Sequence, residues 1–399
     1  MMNDGIAINF VASRGVERTF LASTAFFVLL ILVFAGFEHL TSSLSPSETT
    51  DADPAHQILY LGIFSLVLVA SIQRRGLGAV RAMPPLLALL LAWCLASAYW
   101  ASAHGEVFRH AAVEILLTAS ILLSADTIGP ERAFRYCRIV LAAILMVNWL
   151  SLPWVVTHLS GRTLGNWSGP GSQQNATATV CVITALLFAF TRNGRFNWIG
   201  WLVAAAALGF LAVTRSLTGL ALFPITLLAA IAYRLAWRDG LSRAIFVTAM
   251  GCLLTGAAVW ALYRAGPVGP LLDPIQLAKR TEIGQSAALA YFRSHPWLGT
   301  GFGAVANDPN GYLQLLISLG WTGLALALLA AVAEPLARLW PLDYRDPNFR
   351  ALLFGLFVLF VLRNFMQSDF LGTDDGVWLA LLLVLAALRY PDKSLTLSP

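Results

Sequence analysis

The 399-residue chain is 58% hydrophobic and only 12% charged, whereas soluble globular domains carry roughly 25% charged residues. This composition excludes a soluble enzyme with a single anchor and predicts a polytopic membrane protein. The net charge of +5 does not indicate nucleic-acid binding, because the basic residues lie in short loops beside apolar runs, where they determine topology.

About twelve apolar runs follow one another along the chain, and a membrane-spanning helix needs about 20 apolar residues. They predict an all-α polytopic membrane protein with about 12 transmembrane helices in a single integral membrane domain, residues 1–399. The first run is too long for a cleavable signal, so we expect it to be the first span. In chain order the runs are Thr19–Leu40, Gln57–Gln73, Pro84–Trp100, Ala111–Ser124, Ala133–Val156, Ala176–Phe190, Trp198–Val213, Leu217–Tyr233, Ala244–Tyr263, Tyr312–Ala333, Phe349–Leu362 and Val377–Leu388.

The basic residues are unevenly divided between alternate loops. If the N-terminus is inside, 18 of the 26 Lys and Arg residues fall in inside segments, as the positive-inside rule requires of a cytoplasmic face. Both termini are therefore predicted to be cytoplasmic. An arginine kept outside against this bias suggests an anionic ligand there. The eight outside residues are Arg109, Arg162, Arg215, Arg264, Lys279, Arg280, Arg293 and Arg363.

Three predicted outer loops have distinctive compositions. The first, Thr41 to His56, is acidic, and the second, Gly161 to Asn175, is rich in glycine and amides. The third, Ala265 to Gly311, is the longest in the chain. Within it, apolar residues at helical spacing predict a surface helix over Gln276–Phe292, lying along the membrane with its apolar side down.

Metal chemistry is not indicated by the sequence. All six histidines fall in outer segments without the i, i+4 spacing of zinc ligands. Asp51 and Asp53 form a D-x-D pair that can hold a divalent cation, but their loop is acidic throughout, which favours a solvated loop. The glycines from Gly299 to Gly303 resemble a phosphate loop, yet no strand precedes them, so a flexible turn is the expected structure.

Two arginines are the strongest candidates for binding an anion. Arg215 lies at the tight turn between two spans, and Arg280 lies on the predicted surface helix. Either could be an interfacial anchor whose guanidinium reaches the lipid headgroups. The functional alternative is a guanidinium fork that grips a diphosphate, for which bidentate geometry favours Arg over Lys. Arg162, in the amide-rich loop, is a third candidate.

Several segments carry patterns that recur, in this order, in one known family. They are Trp93 to Ala101, Thr214-Arg215-Ser216, Arg280-Thr281-Glu282, Ser294 to Gly303, Asn310 to Gly323 and Arg363 to Trp378. In the fifth segment Asn310, nine residues and then Gly320-x-x-Gly323 open a membrane helix. Together the segments resemble the O-antigen ligase and polymerase superfamily, and the last one resembles its exopolysaccharide polymerase branch.

The resemblance implies a GT-C-like helical bundle with a long periplasmic loop, residues 265–311, between helices 9 and 10. It implies a glycosyltransferase, without metal or cofactor, that moves a glycan from undecaprenyl diphosphate to an acceptor hydroxyl at the periplasmic face of the bacterial inner membrane. By position, Arg215 and Arg280 correspond to the two arginines that hold the diphosphate. The implied partners are the lipid-linked oligosaccharide, membrane lipid, a chain-length regulator and a flippase, and no nucleic acid.

One position departs from the family pattern. A histidine usually precedes the signature asparagine, whereas this chain has Pro309 there. Asp308 or His295 could replace the missing base, or deprotonation could come late and need no base. Asp308 is slightly favoured because it flanks the vacant position.

These features favour a polysaccharide polymerase that joins lipid-diphosphate-linked repeat units. An O-antigen ligase uses the same chemistry on a different acceptor, lipid A core or protein, and the sequence does not separate the two. A lipid-linked oligosaccharide flippase or transporter is the alternative from another class. It is less favoured because the central loop, Thr191–Asn197, is short and the polar clusters lie at outer ends.

Overall fold

A computed structural model describes residues 20–34, 54–158, 174–190, 198–214, 216–239, 295–303, 311–340, 346–365, 367, 370–372 and 376–389. Within these residues 89% of the chain is helical and no strand occurs, which confirms the all-α prediction. The ninth predicted span, the amide-rich loop up to residue 173 and the predicted surface helix Gln276–Phe292 lie outside the described residues.

The described part of the chain contains eleven long helices, which coincide with the other eleven predicted apolar runs, and two short 3₁₀ helices, Gly76–Ala82 and Ser97–Tyr99. We label the long helices in chain order. They are α1 (Phe20–Phe34), α2 (Pro54–Arg75), α3 (Pro85–Ala96), α4 (His104–Ile128), α5 (Pro130–His158), α6 (Gln174–Ala189), α7 (Trp198–Thr214), α8 (Leu217–Asp239), α9 (Gly311–Leu339), α10 (Pro347–Arg363) and α11 (Gly376–Arg389).

Five of these helices are long and apolar enough to cross a membrane: the segments Gln57–Arg75, His104–Ile128, Pro130–Leu152, Leu217–Leu235 and Gly311–Leu339. Five further apolar helices, α1, α3, α6, α7 and α11, are shorter. The lengths support a helical membrane protein. The number of about twelve spans stays a prediction.

Local sequence signals set several helix boundaries. Asp346 caps α10, because its carboxylate accepts hydrogen bonds from the backbone N–H groups of Asn348 at 3.0 Å and Phe349 at 3.2 Å. Pro347 follows at the first helical position, where its missing N–H costs nothing. Gly129, with φ 89°, ends α4, and Pro130 begins α5 directly afterwards.

The core of the bundle is organised around α11. Every residue from Gly376 to Leu388 is buried, as expected of a helix that is apolar on all sides. It packs against α4, α5, α6 and α10 and against the last turns of α9. The other extensive helix pairs are α6 with α7, α8 with α10, and α2 with α4.

Polar contacts at one end of the bundle join residues that the charge bias places inside. Arg75 forms an ion pair with Asp126 at 2.8 Å, and Arg389 donates to the carbonyl of Arg81 at 2.8 Å. Arg350, only 2% exposed, donates to the carbonyl of Leu339 at 3.2 Å. Each contact joins two helix ends on the same predicted side. The alternation of the helices is thus consistent with the charge pattern, while the cytoplasmic location of this end stays a prediction.

A candidate site at the predicted outer helix ends

Helix α9 is broken at Gly320, whose φ of 70° and ψ of −173° are not helical. A Cβ at this position would collide with the carbonyl group of Trp297. The break therefore requires glycine for two reasons: the positive φ and the close approach of a second backbone segment. That segment is the turn formed by residues 295–303, which we call the 295–303 turn.

Three of the backbone groups beside the break form hydrogen bonds with this turn. The carbonyl of Ile317 accepts from the N–H of Thr300 at 3.0 Å, and that of Ser318 accepts from Gly301 at 2.8 Å. The N–H of Trp321 donates to the carbonyl of Pro296 at 2.9 Å. Irregular backbone at membrane depth needs such satisfaction, because lipid offers no hydrogen bonds. The turn and the kink therefore form one unit, the turn–kink unit.

The end of α3 and the residues that follow it, on the predicted outer side, close this unit from the other side. The indole N–H of Trp93 donates to the carbonyl of Leu319 at 3.2 Å, and that of Trp100 donates to Leu298 at 3.1 Å. The hydroxyl of fully buried Ser97 accepts from the N–H of Phe302 at 2.9 Å. Three segments that carry the family resemblance, 93–101, 295–303 and 311–323, are thus in direct contact.

These contacts also decide how the glycines of the turn function. In a phosphate loop the backbone N–H groups point at the ligand. Here the N–H groups of Thr300, Gly301 and Phe302 donate to Ile317, Ser318 and Ser97. Those donors are occupied by the protein, so this turn is not a phosphate cradle. The expected turn is present, and it is hydrogen-bonded to α9 and to Ser97.

The two signature glycines have architectural roles. Gly320 permits the break, and a Cβ at buried Gly323 would collide with the side chain of Leu319. The Gly-x-x-Gly spacing thus lets the chain bend and lets Leu319 pack over the following turn. Neither glycine needs to contact a substrate for its identity to be explained.

A second polar cluster lies where the predicted outer ends of α6, α8 and α10 meet. The hydroxyl of Ser216 donates to the side-chain oxygen of Asn175 at 3.0 Å. The guanidinium of Arg363, 2% exposed, donates to the backbone carbonyl of the same Asn175 at 3.3 Å. We call Asn175, Ser216 and Arg363 the outer junction.

The outer junction is continuous with the start of the signature helix. The N–H of Gly311 donates to the carbonyl of Asn364 at 2.9 Å, and the hydroxyl of Tyr312 donates to the carbonyl of Val361 at 3.1 Å. The end of α10 therefore contacts both the residue that follows Asn310 and the residue that supports Ser216. Two motif segments converge on a single helix end.

The structure leaves most of the predicted site residues untested. Asp308, Asn310, Arg162, Arg215 and Arg280 lie outside the described residues. His295 is described: it is exposed and begins the 295–303 turn, and its carbonyl accepts from the N–H of Gly299 at 3.0 Å. Its predicted role as a base stays a prediction.

The two residues that flank Arg215 in the sequence are both described. Thr214 and Ser216 are 1% and 3% exposed, and the hydroxyl of Thr214 donates to the carbonyl of Leu211 at 2.7 Å. Both residues that flank this arginine are thus buried and hydrogen-bonded. The predicted separation of the seventh and eighth spans is confirmed, since α7 ends at Thr214 and α8 begins at Leu217.

Sequence reasoning missed a polar group inside the bundle. Glu114 is 1% exposed, and its carboxylate accepts from Thr118 at 3.0 Å. The hydroxyl of Thr118 in turn accepts from the indole N–H of Trp378 at 3.3 Å. A carboxylate within the apolar run Ala111–Ser124 was the signal, because ionisable residues inside spans are rare and face the bundle interior.

Metal binding finds no support in the described ranges, where no group of three or more His, Cys, Asp or Glu side chains comes together. Asp51 and Asp53 lie outside those ranges, so the reading of their D-x-D pair is untested. No protein-family model matches the chain, and no curated protein matches it significantly.

Proposed function

We propose that this chain is a polysaccharide polymerase of the bacterial inner membrane. It joins undecaprenyl-diphosphate-linked oligosaccharide repeat units at the periplasmic face, in exopolysaccharide or O-antigen biosynthesis. The proposal starts from the ordered resemblance of residues 93–378 to the O-antigen ligase and polymerase superfamily.

One structural observation supports the proposal most directly. The segments that carry the resemblance are distant in sequence, yet Trp93, Ser97 and Trp100 bond to the 295–303 turn and to the kink at Gly320. The outer junction adds the Ser216 and Arg363 segments to the same end of the bundle. Patterns that arose by chance would not be expected to meet at one end of a fold.

The proposed reaction needs charge neutralisation more than proton transfer. An acceptor hydroxyl attacks the anomeric carbon of the donor glycan, and the bond to the lipid diphosphate breaks with its electron pair on the phosphate oxygen. Arg215 and Arg280 bind the departing diphosphate, with Arg162 as a third candidate. Fixed cations placed where negative charge develops are a large source of catalysis, and the guanidinium fork matches phosphate oxygens.

The acceptor proton has two possible destinations in this scheme. A general base, Asp308 or His295, accepts it during attack, or it leaves to water after the glycosidic bond has formed. The first route makes one of the two residues catalytic. The second is consistent with Pro309, which offers no basic side chain. Variants of both residues separate the routes, as described in the Discussion.

The nearest alternative is a ligase that transfers the glycan to lipid A core or to a protein. A flippase is the alternative from another class, and the broken helix α9 is a feature that transporters share. In transporters, however, the freed backbone groups coordinate the cargo. Here the carbonyls of Ile317, Ser318 and Leu319 accept hydrogen bonds from the protein itself, which favours an architectural break.

Analysis of the glycans in a deletion strain tests the proposal. A polymerase is indicated by single repeat units on the cell surface, a ligase by polymer that is not attached to its acceptor, and a flippase by lipid-linked units retained on the cytoplasmic side. Complementation with the wild-type gene controls for effects on neighbouring genes. Normal surface polymer in the deletion strain would overturn all three assignments.

A further inference from the structure

The outer junction connects three helices through hydrogen bonds that run in series. Arg363 at the end of α10 donates to the carbonyl of Asn175 at the start of α6. The side chain of Asn175 accepts from Ser216, and the hydroxyl of Ser216 accepts from the N–H of Gly219 in the first turn of α8, at 3.4 Å. Ser216 directly follows Arg215 in the chain.

These bonds constrain Ser216 more than a local turn requires. A serine beside a helix usually bonds within its own segment, and Ser216 does so through Gly219. Its hydroxyl also donates to Asn175, 41 positions away in sequence, which fixes the side-chain rotamer from both sides. Close packing adds to this, since a Cβ on Gly219 would lie 2.9 Å from the Cβ of Ala178 and 2.7 Å from Leu211. The start of α8 is therefore held against α6 and α7.

The burial of Arg363 points the same way. A guanidinium that is 2% exposed loses its hydration and needs hydrogen-bond partners in the protein. One of them is the Asn175 carbonyl rather than a group on its own helix. A buried cation at this place binds α10 to the residue that supports Ser216.

We propose that Arg363 and Asn175 are positioning residues that act through Ser216 to hold the backbone from which Arg215 binds the lipid diphosphate. This inference rests on the proposed function, in which Arg215 binds that diphosphate. It assigns no contact with substrate to Arg363 or Asn175. A displacement of about 1 Å in a binding group is enough to cost a large part of the affinity or rate.

The test measures binding of undecaprenyl diphosphate, which carries the diphosphate but no glycan, to the full-length protein in nanodiscs. Ser216→Ala and Asn175→Ala should each weaken binding about fivefold or more, since a hydrogen bond contributes on the order of 1 kcal/mol and 1.4 kcal/mol is tenfold. Asn175→Asp keeps the acceptor for Ser216 and should retain more affinity than Asn175→Ala. Arg363→Lys should be as harmful as Asn175→Ala, provided that it folds.

Ser71→Ala is the matched control. The hydroxyl of Ser71 is also buried and bonds across two helices, to Thr127 at 2.8 Å, but at the opposite end of the bundle. Its loss should lower the melting temperature by a similar amount and leave the affinity unchanged. If Ser71→Ala weakens binding as much as Ser216→Ala, the effect is general destabilisation and the proposal is overturned.

Combination with Arg215→Ala separates this inference from the proposed function. If Ser216 acts through Arg215, then Ser216→Ala adds no further loss of affinity in the Arg215→Ala background. A full additional loss overturns the positioning role.

If Arg215→Ala alone leaves the affinity unchanged, the proposed function fails at this site. The positioning role is then judged by the labelling rate of Arg215→Cys with a membrane-impermeant maleimide, with the native cysteines replaced. The positioning role is supported if Asn175→Ala changes the labelling rate of Arg215→Cys and Ser71→Ala does not. It is overturned if Arg215→Cys labels at the same rate alone, with Asn175→Ala and with Ser71→Ala.

Discussion

Substitution of Gly320 by alanine tests the turn–kink unit. The backbone at this position has φ 70°, and a residue with a Cβ held in such a region costs about 1–3 kcal/mol. The new Cβ would also collide with the carbonyl of Trp297. The 295–303 turn must therefore move away, and three backbone hydrogen bonds between the turn and α9 are lost.

Those bonds contribute about 0.5–1.5 kcal/mol each, so together with the backbone strain the total destabilisation is about 2.5–7.5 kcal/mol. We expect a large fall in the melting temperature of the purified protein, measured by tryptophan fluorescence in a fixed detergent. Gly62→Ala is the control, because it lies on α2 and its Cβ would meet nothing within 4 Å. Alanine is favoured over glycine inside a helix by about 0.5–1 kcal/mol, so this variant should melt at or above the wild-type temperature.

A second substitution shows whether the damage arises at the contact described. A Cβ on Gly299 would press on the backbone of Ser318, on the other side of the same contact. Gly299→Ala should therefore destabilise the wild type but add little to Gly320→Ala, since both open one interface. If Gly320→Ala melts as high as Gly62→Ala, the turn does not approach α9 as described and the reasoning fails.

Three further predictions concern the proposed reaction and topology. The Arg215→Ala, Arg280→Ala double variant should make no polymer, because each charge-assisted hydrogen bond is worth about 1.5–3 kcal/mol. Each Arg→Lys change should be nearly as harmful as Arg→Ala, because Lys lacks the guanidinium fork. Wild-type polymer from the double variant at normal protein level refutes the assignment. If Asp308 or His295 is a general base, Asp308→Asn or His295→Ala should lower turnover about 10²–10⁴-fold, whereas modest losses in both would indicate late deprotonation. Cysteine probes in intact spheroplasts should distinguish the two faces. Probes at Ser47, Ser172 and Ala304 should label from outside, and probes at Gly76, Gly194 and Asp343 should not. Labelling of any of the last three would contradict the topology.

The helices of this protein were predictable because apolar runs of the required length are a strong signal. Charge bias then ordered their ends, and the polar contacts at Arg75, Arg350 and Arg389 agree with that order. Both signals are local or additive along the chain. They do not depend on which helix packs against which, and this is why sequence alone carries them.

The break in α9 was not predictable in the same way. Gly320 stands in an apolar run, and a glycine there is compatible with an ordinary membrane helix, in which glycine is common. Its positive φ becomes stable only because the 295–303 turn and Trp93 supply partners for the released backbone groups. The partner segments are distant in sequence, so the family pattern marked the position without giving its physical reason.

The outer junction shows the same limit for side chains. Sequence counted Arg363 as one of eight outside basic residues, and nothing linked it to Asn175, 188 positions earlier. An arginine near the end of an apolar run is usually an interfacial anchor that reaches the headgroups. Burial to 2% exposure distinguishes Arg363 from such an anchor, and burial is a property of the assembled bundle.

The arrangement of the chain beside position 215 bears on where the chemistry lies. Buried, hydrogen-bonded polar groups occur at both ends of the bundle: Arg350 and Ser71 at the predicted inner end, and Ser216 and Arg363 at the predicted outer end. Those at the predicted outer end flank a residue that is proposed to bind the diphosphate, since Thr214 and Ser216 are buried and hydrogen-bonded on either side of Arg215 in the sequence. Stabilising the charge on a departing diphosphate requires groups that are already in place before the bond breaks. The predicted outer end is therefore the end at which the proposed transfer would be expected, and substitutions at the inner end, such as Ser71→Ala, should lower stability without changing the affinity for the lipid diphosphate.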